Sequence, residues 1–235
     1  MQPIRALLWD IDGTLLNFAA SERAGICQTF DAFALGPCTE QMLSAYSRIN
    51  TKWWEKLERG ECSKHETMTG RFSEFFAMFQ LDADIEAFNE EYQRRLPETI
   101  VFNDGAWEVL TKCQIRFLQY AVTNGNRPVQ RRKLRDSGMD KVFDGVFISD
   151  EVGYEKPSIE YFRFVLDAIG CAPSEAMIIG DSLTSDMRGG NNAGLVCCWY
   201  NPARLPLPND LRIDCTIERL DELFTVFERV PAKSE

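Results

Sequence analysis

Residues 4–15 read Ile4-Arg5-Ala6-Leu7-Leu8-Trp9-Asp10-Ile11-Asp12-Gly13-Thr14-Leu15. The run from Ile4 to Trp9 is apolar but too short for a helix of its own, which predicts a buried strand over 4–10. It ends on two carboxylates two residues apart, which in extended chain point to the same side. Gly13 then permits a sharp exit that a side chain would obstruct. Asp-Gly is also a common turn dipeptide, so the segment acquires meaning only from its partners farther along the chain.

Downstream, the chain changes style twice. From about 20 to 96 it reads as helix. Phe72, Phe75, Phe76 and Phe79 recur at helical spacing, as do Ile85, Phe88, Tyr92 and Leu96, and Ile26, Phe30 and Phe33. Breaks at Gly36-Pro37, Arg59-Gly60 and Leu81-Asp82 predict four helices, with Thr39 as an N-cap. After Pro97, apolar runs alternate with helical patterns. Strands are predicted at 115–123, 146–149, 176–180 and 195–200, helices at 128–137, 158–169 and 184–192, and a closing amphipathic helix around Leu220–Phe227. Such alternation implies parallel strands covered on both faces. The fold class expected is α/β: a Rossmannoid parallel-sheet core from 1–16 and 98–235, with a helical cap inserted at 17–97. An insertion there would stand over the carboxyl ends of the strands, the edge where open α/β sheets bind ligands.

Composition narrows the function classes. A formal charge of −10 argues against a nucleic-acid polymer as partner, since phosphate backbones need a basic surface. No stretch approaches eighteen uncharged apolar residues, so no membrane partner is expected. Met1-Gln2-Pro3 leads straight into the first strand without the marks of a signal peptide. The eight cysteines lack any Cys-x-x-Cys, and His65, the only histidine, has no metal-ligand spacing to them. Reduced thiols in a cytoplasmic protein are the simpler reading. The oligomeric state is left open.

Three further polar constellations sit at or just beyond predicted strand ends. Thr123-Asn124-Gly125 offers a hydroxyl and turn amides to a phosphate oxygen. Glu155-Lys156-Pro157 precedes a helix, and its lysine is a compact cation suited to joining a phosphate and a carboxylate. In Gly180-Asp181-Ser182-Leu183-Thr184-Ser185-Asp186, Asp181 follows an apolar strand, where a carboxylate has no structural purpose, while Asp186 falls in the first helical turn. Placed on one sheet edge with Asp10 and Asp12, these carboxylates need a cation between them, and oxygen ligands with room for water describe Mg²⁺.

Together, Asp10-x-Asp12-Gly13-Thr14, Thr123-Asn124-Gly125, Lys156-Pro157 and Gly180-Asp181-Ser182-x-Thr184-Ser185-Asp186 resemble the haloacid dehalogenase superfamily, on its phosphatase side. The resemblance implies a helical cap of the C1 type, inserted after the first motif, and an aspartyl-phosphate intermediate. Asp10 would attack, and Asp12 would act as acid and then base. Thr123, Asn124 and Lys156 would hold the phosphoryl group. Mg²⁺ would be bound by Asp10, the backbone carbonyl of Asp12, and Asp181, with Asp186 in the outer sphere. The superfamily's dehalogenases lack the second acid of the first motif, so Asp12 favours phosphoester chemistry.

A narrower resemblance is to pyrimidine 5′-nucleotidases. It rests on Arg71-Phe72, Phe75-Phe76, Gln130-Arg131-Arg132-Lys133-Leu134, the run from Gly180 to Gly190, Ala193-Gly194 and Trp199-Tyr200-Asn201-Pro202. Gly13 and Asn17 stand where many of that branch carry acids. The substrate implied is a small phosphorylated metabolite, a nucleoside monophosphate first. The alternatives are another small-molecule phosphatase such as a sugar-phosphate phosphatase, a sugar-phosphate mutase, and an idle binding module on the same fold. Trp53-Trp54 cannot both face one helix's core, which leaves one of them to stack on a base. His65 is expected at the surface.

Overall fold

The computed structural model describes residues 3–229 of the 235-residue chain. The reading of Met1 and Gln2 lies outside them. Six strands form one parallel sheet: β1 (Ala6–Trp9), β2 (Leu118–Thr123), β3 (Gly145–Ile148), β4 (Ala176–Gly180), β5 (Val196–Tyr200) and β6 (Cys215–Ile217). Their order is β3-β2-β1-β4-β5-β6. The chain runs outward from β1 to β3 and then returns to β1's other side, so the order reverses between β1 and β4. Open α/β sheets bind ligands at that switch point, outside the carboxyl ends of the strands.

Burial explains the strand sequences. Every residue of β1 and of β4 is buried, as parallel strands covered on both faces require. Ala6 and Leu8 join one core cluster with Val122, Ile178, Tyr161 and Phe162. On the opposite face, Trp9 donates its indole N–H to the buried Gln119 Oε1 at 3.0 Å, and Gln119 Nε2 donates to the Leu110 carbonyl at 2.8 Å. The buried polar atoms of this layer are thus satisfied.

The described chain divides into two compact units, one comprising residues up to Asn17 together with those from Phe102 onward, the other Phe18–Val101. The second unit holds four helices, α1 (Phe18–Ala32), α2 (Glu40–Glu58), α3 (Lys64–Phe79) and α4 (Ile85–Arg95). Thr39 caps α2 by accepting from the Met42 N–H, and Ser63 caps α3 in a reciprocal box with Glu66. The apolar stripes converge: Phe72 lies 5.2 Å from Tyr46, 5.0 Å from Phe88 and 5.3 Å from Tyr92, ring centre to ring centre. Trp53 packs against α3, its indole N–H donating to Glu74 at 3.0 Å and its ring filling the space that Gly70 leaves open. Trp53 is thus the member of the Trp53-Trp54 pair that serves helix packing, and Trp54 is half-buried. His65 is exposed, 3.7 Å from Glu86.

In the sheet unit the helices are α5 (Ala106–Cys113), α6 (Arg127–Ser137), α7 (Ser149–Val152), α8 (Ile159–Ile169), α9 (Arg188–Ala193) and α10 (Leu223–Arg229). The strand expected over 115–123 starts only at Leu118, because Ile115 and Arg116 complete a turn after α5. The one expected over 146–149 ends at Ile148, since Ser149 opens α7. Ser158 is the N-cap of α8 and not its first residue. The helix expected over 184–192 is a wide π-type turn over Leu183–Met187 followed by α9. Ser182 imposes that turn: its carbonyl accepts from both the Asp186 and the Met187 N–H, and its hydroxyl accepts from Ser185. All eight cysteines carry free thiols. Among the described residues, no helix is long and apolar enough to cross a membrane.

Candidate active site

Asp10 leaves β1 with its backbone N–H still donating to the Ile179 carbonyl at 3.0 Å, so it stands level with the end of β4. Residues 11–16 then form a tight loop. Leu15 and Leu16 N–H donate to the Ile11 carbonyl, Gly13 N–H to the Leu16 carbonyl, and Asn103 Nδ2 to the carbonyls of Gly13 and Thr14. Gly13 is required twice. Its φ is +100°, and a Cβ there would sit 2.4 Å from Asp181 Oδ2. Thr14 orients Asp181 by a reciprocal pair, its hydroxyl donating to Asp181 Oδ1 at 2.9 Å and accepting the Asp181 N–H at 3.0 Å.

Lys156 is the cation of the site. It follows α7 in the connection from β3 to α8, one short helix beyond a strand end. Its three N–H donors go to Asp10 Oδ1 at 2.7 Å, Asp186 Oδ1 at 2.7 Å and the Val122 carbonyl at 3.0 Å. Lys156 thereby joins two carboxylates, Asp10 and Asp186. Burial alone would lower the Lys156 ammonium's pKa, but Asp10 and Asp186 outweigh it and hold the value above its ordinary level.

Asn124 anchors this lysine. Its Nδ2 donates to the Lys156 carbonyl at 2.7 Å, and its Oδ1 accepts the Lys156 N–H at 2.8 Å. Both ends of its side chain are thereby engaged with the Lys156 backbone. The Gly125 N–H goes to the Thr123 hydroxyl at 3.1 Å. Thr123 itself is buried at the end of β2.

Among the described residues, Asp10, Asp181 and Asp186 form one group whose carboxylate oxygens lie within 4.8 Å of one another. Asp186 reaches the group because the π-type turn swings it back: its Oδ2 accepts the Ser182 N–H, and Gly180 leaves the room a Cβ would fill, 2.2 Å from that oxygen. Burial, and after it the charge of Asp186, push the Asp181 carboxyl up to about 7, with the Thr14 hydrogen bond opposing. Burial likewise raises Asp10, with Lys156 opposing and Asp186 and Asp181 adding to the rise. When all three are ionised, three carboxylates against one ammonium leave two negative charges, which a divalent cation would neutralise. An all-oxygen donor set in a glycine-lined cradle fits Mg²⁺.

The carboxylate of Asp12 does not join that group. It accepts from Lys133 Nζ at 2.5 Å and from Gln130 Nε2 at 2.6 Å. Of Asp12, only the backbone carbonyl therefore stays available as a metal ligand, whereas the side chain has separate partners on α6. Asn103 is a site residue that motif reading passes over, while Thr14, Gln130 and Lys133 fall inside the quoted motifs without a role assigned to them. Gln130 and Lys133 share a helix face, but a lysine in the charged run Arg131-Arg132-Lys133 reads as solvated.

Residues 4–194 match the family model of haloacid dehalogenase-like hydrolases. This chain belongs to that family. It is 36% identical to the HAD-hydrolase YfnB of Bacillus subtilis, the match covering 96% of each protein. The crystal structure of YfnB bound to magnesium superposes with a TM-score of 0.91 at 35% identity, covering 96% of this hydrolase and 99% of that chain. The pyrimidine 5′-nucleotidase PynA of Streptococcus pneumoniae is 34% identical, covering 85% of this hydrolase and 84% of PynA. The pyrimidine 5′-nucleotidase YjjG of Escherichia coli is 27% identical, covering 92% and 95%.

Proposed function

We propose that this hydrolase is a Mg²⁺-dependent phosphomonoesterase acting through an aspartyl-phosphate, with a pyrimidine nucleoside 5′-monophosphate as its substrate and the cytoplasm as its compartment. The observation that carries the chemistry is the group Asp10, Asp181 and Asp186 with Lys156 on one sheet edge, beside a separately held Asp12. Likeness to two pyrimidine 5′-nucleotidases supports the substrate class. Asp12 supports ester cleavage over carbon–halogen chemistry, because a leaving alkoxide needs a proton and a halide does not.

Asp10 and Asp181, with the Asp12 carbonyl and Asp186 near by, would hold Mg²⁺, which when bound supplies positive charge against the phosphoryl oxygens. An Asp10 oxygen forms a bond to phosphorus as the ester P–O bond breaks. The bonding pair stays on the leaving oxygen, which takes a proton from Asp12. A water then attacks the phosphorus of the aspartyl-phosphate and gives Asp12 a proton. The Asp10–phosphorus bond breaks, releasing inorganic phosphate. Lys156 holds Asp10 in place for attack, and Thr123 with the Asn124 N–H binds a phosphoryl oxygen. Phosphate release from a panel of nucleoside monophosphates and sugar phosphates, with and without Mg²⁺, tests this. Mg²⁺-dependent release with the highest kcat/KM on a pyrimidine monophosphate is expected. Preference for a sugar phosphate would overturn the substrate, and absence of release from every ester would overturn the activity.

A further inference from the structure

Helix α6 carries five cations on two faces. Arg127, Arg131 and Arg135 are exposed and Arg132 is half-buried, and all four pair with Glu151 or Asp136. Lys133 instead points inward with none of its side chain exposed, toward Asp12. Burying an ammonium is costly unless it is paired, so this orientation has a specific purpose. Gln130, one turn earlier on the same face, is also buried and donates to the other oxygen of Asp12.

Two observations show that the structure gives something up for this contact. Gln130 Oε1 is buried without a hydrogen-bond partner among the described residues. Flipping the amide would set two oxygens against each other, so the orphaned carbonyl results from aiming Nε2 at Asp12. Secondly, a Cβ on Gly125 would lie 2.1 Å from Gln130 Nε2. Gly125 has no positive φ to account for it, so the glycine of Thr123-Asn124-Gly125 is the gap through which Gln130 passes.

We propose that Lys133 and Gln130 are positioning residues that fix the direction of the Asp12 carboxyl for proton exchange with the leaving oxygen. Gly125 is required so that Gln130 can reach it. This rests on the phosphomonoesterase reading above. A carboxylate has about two lone-pair directions on each oxygen, so one donor on each leaves a direction open for the transferred proton. Losing either donor frees the carboxyl to rotate. The consequence then depends on the leaving group: an alkoxide needs the proton as its P–O bond breaks, whereas a weakly basic aryl oxide departs without it.

The test is kcat/KM, which reports the phosphoryl transfer to Asp10, for an alkyl phosphate and for 2,4-dinitrophenyl phosphate with Mg²⁺ present. Lys133→Met is expected to lose on the order of 10²-fold on the alkyl ester, the scale of general acid catalysis, and far less on the aryl ester. Gln130→Leu and Gly125→Ala should show the same selectivity at roughly tenfold, and Lys133→Arg should restore part of the loss. Asp12→Asn supplies the reference pattern. Should Lys133→Met fail to fold, Gln130→Leu and Gly125→Ala carry the same ratio. Equal losses on both esters in a folded variant would overturn the positioning role while leaving the hydrolase reading intact. Failure of the wild-type chain to cleave either ester would overturn that reading itself.

Discussion

Gly13 and Asp181 approach so closely that a single methyl group cannot be placed between them: a Cβ on Gly13 would lie 2.4 Å from Asp181 Oδ2. The φ of +100° adds backbone strain for any other residue, on the order of 1–3 kcal/mol. Gly13→Ala should therefore displace Asp181 and weaken Mg²⁺ activation by about tenfold or more, as about 1.4 kcal/mol implies. The Mg²⁺ concentration giving half-maximal phosphate release checks this. An unchanged value would mean that Asp181 is not a ligand.

Crowded carboxylates trade stability for function. Replacing Asp181 by Asn removes one negative charge from the group that Asp10 and Asp186 share. In metal-free buffer at pH 8, where Asp181 is ionised, the variant should melt about 2–4 °C above wild type, the shift that about 1 kcal/mol produces in a chain of this size. Mg²⁺ is expected to stabilise wild type and to stabilise this variant less. Differential scanning calorimetry with EDTA and with Mg²⁺ measures both, and a lower melting temperature in EDTA would contradict the repulsion argument.

The raised Asp181 carboxyl, at about 7, fixes the sign of a pH dependence. An unfolded aspartate titrates near ~3.9. Between these values the folded metal-free protein binds more protons than the unfolded chain, so its stability falls as pH rises toward 7. Mg²⁺ must displace that proton, so its affinity should drop by about tenfold per pH unit below 7. Calorimetric titration at pH 6 and pH 8 in buffers of differing ionisation enthalpy would show proton uptake by the buffer at the lower pH only. Equal affinity at both would refute the coupling.

Lys156 is buried between Asp10 and Asp186, and its removal leaves two buried carboxylates facing each other. Lys156→Met should cost about 3–5 kcal/mol of stability, the range for breaking a buried pair from one side. Turnover should be lost even where the fold survives at low temperature. Urea unfolding in the absence of metal gives the first quantity, and loss of under ~1 kcal/mol would mean that the pair is solvated.

How much of the site was readable depends on where each residue sits. Asp10 and Asp181 announce themselves because a carboxylate ending an apolar strand has no packing role. Lys156 was recognisable by its place before Pro157 and α8, although its second carboxylate partner was not. Asp186 was legible as an acid, but its reach back to the Ser182 N–H depends on a π-type turn that no periodicity encodes. Gln130 and Lys133 stayed hidden because direction along α6 decides their role, and a run of cations looks alike from every side. Helix α5 opens on Gly105 without a side-chain cap, and β6 is three residues long at the sheet's edge. Neither offers enough residues or a start signal for a local pattern.

The helical unit holds a second buried charge system that separates stability from catalysis. Arg71 is 1% exposed, 5.0 Å and 5.3 Å from the rings of Phe72 and Tyr92. It donates to Asn50 Oδ1 at 2.7 Å, and Asn50 Nδ2 donates to Glu22 Oε1 at 2.8 Å. Burial raises the Glu22 carboxyl, opposed by hydrogen bonds from Ser47 and Asn50 and by Arg71's charge. Arg71→Met should thus cost about 3–5 kcal/mol, since it leaves Glu22 without its cation. Glu22→Gln in the same chain should recover part of that cost, with a coupling of about 0.5–3 kcal/mol between the two positions. Because burial raises the Glu22 carboxyl, acid returns its proton and removes the charge that Arg71 answers, so the gap between Arg71→Met and wild type should be narrower at pH 5 than at pH 8. Urea denaturation of the two single variants and the double variant at pH 5 and pH 8 closes the cycle. Additive losses at both pH values would show that Arg71 acts through its aromatic packing alone.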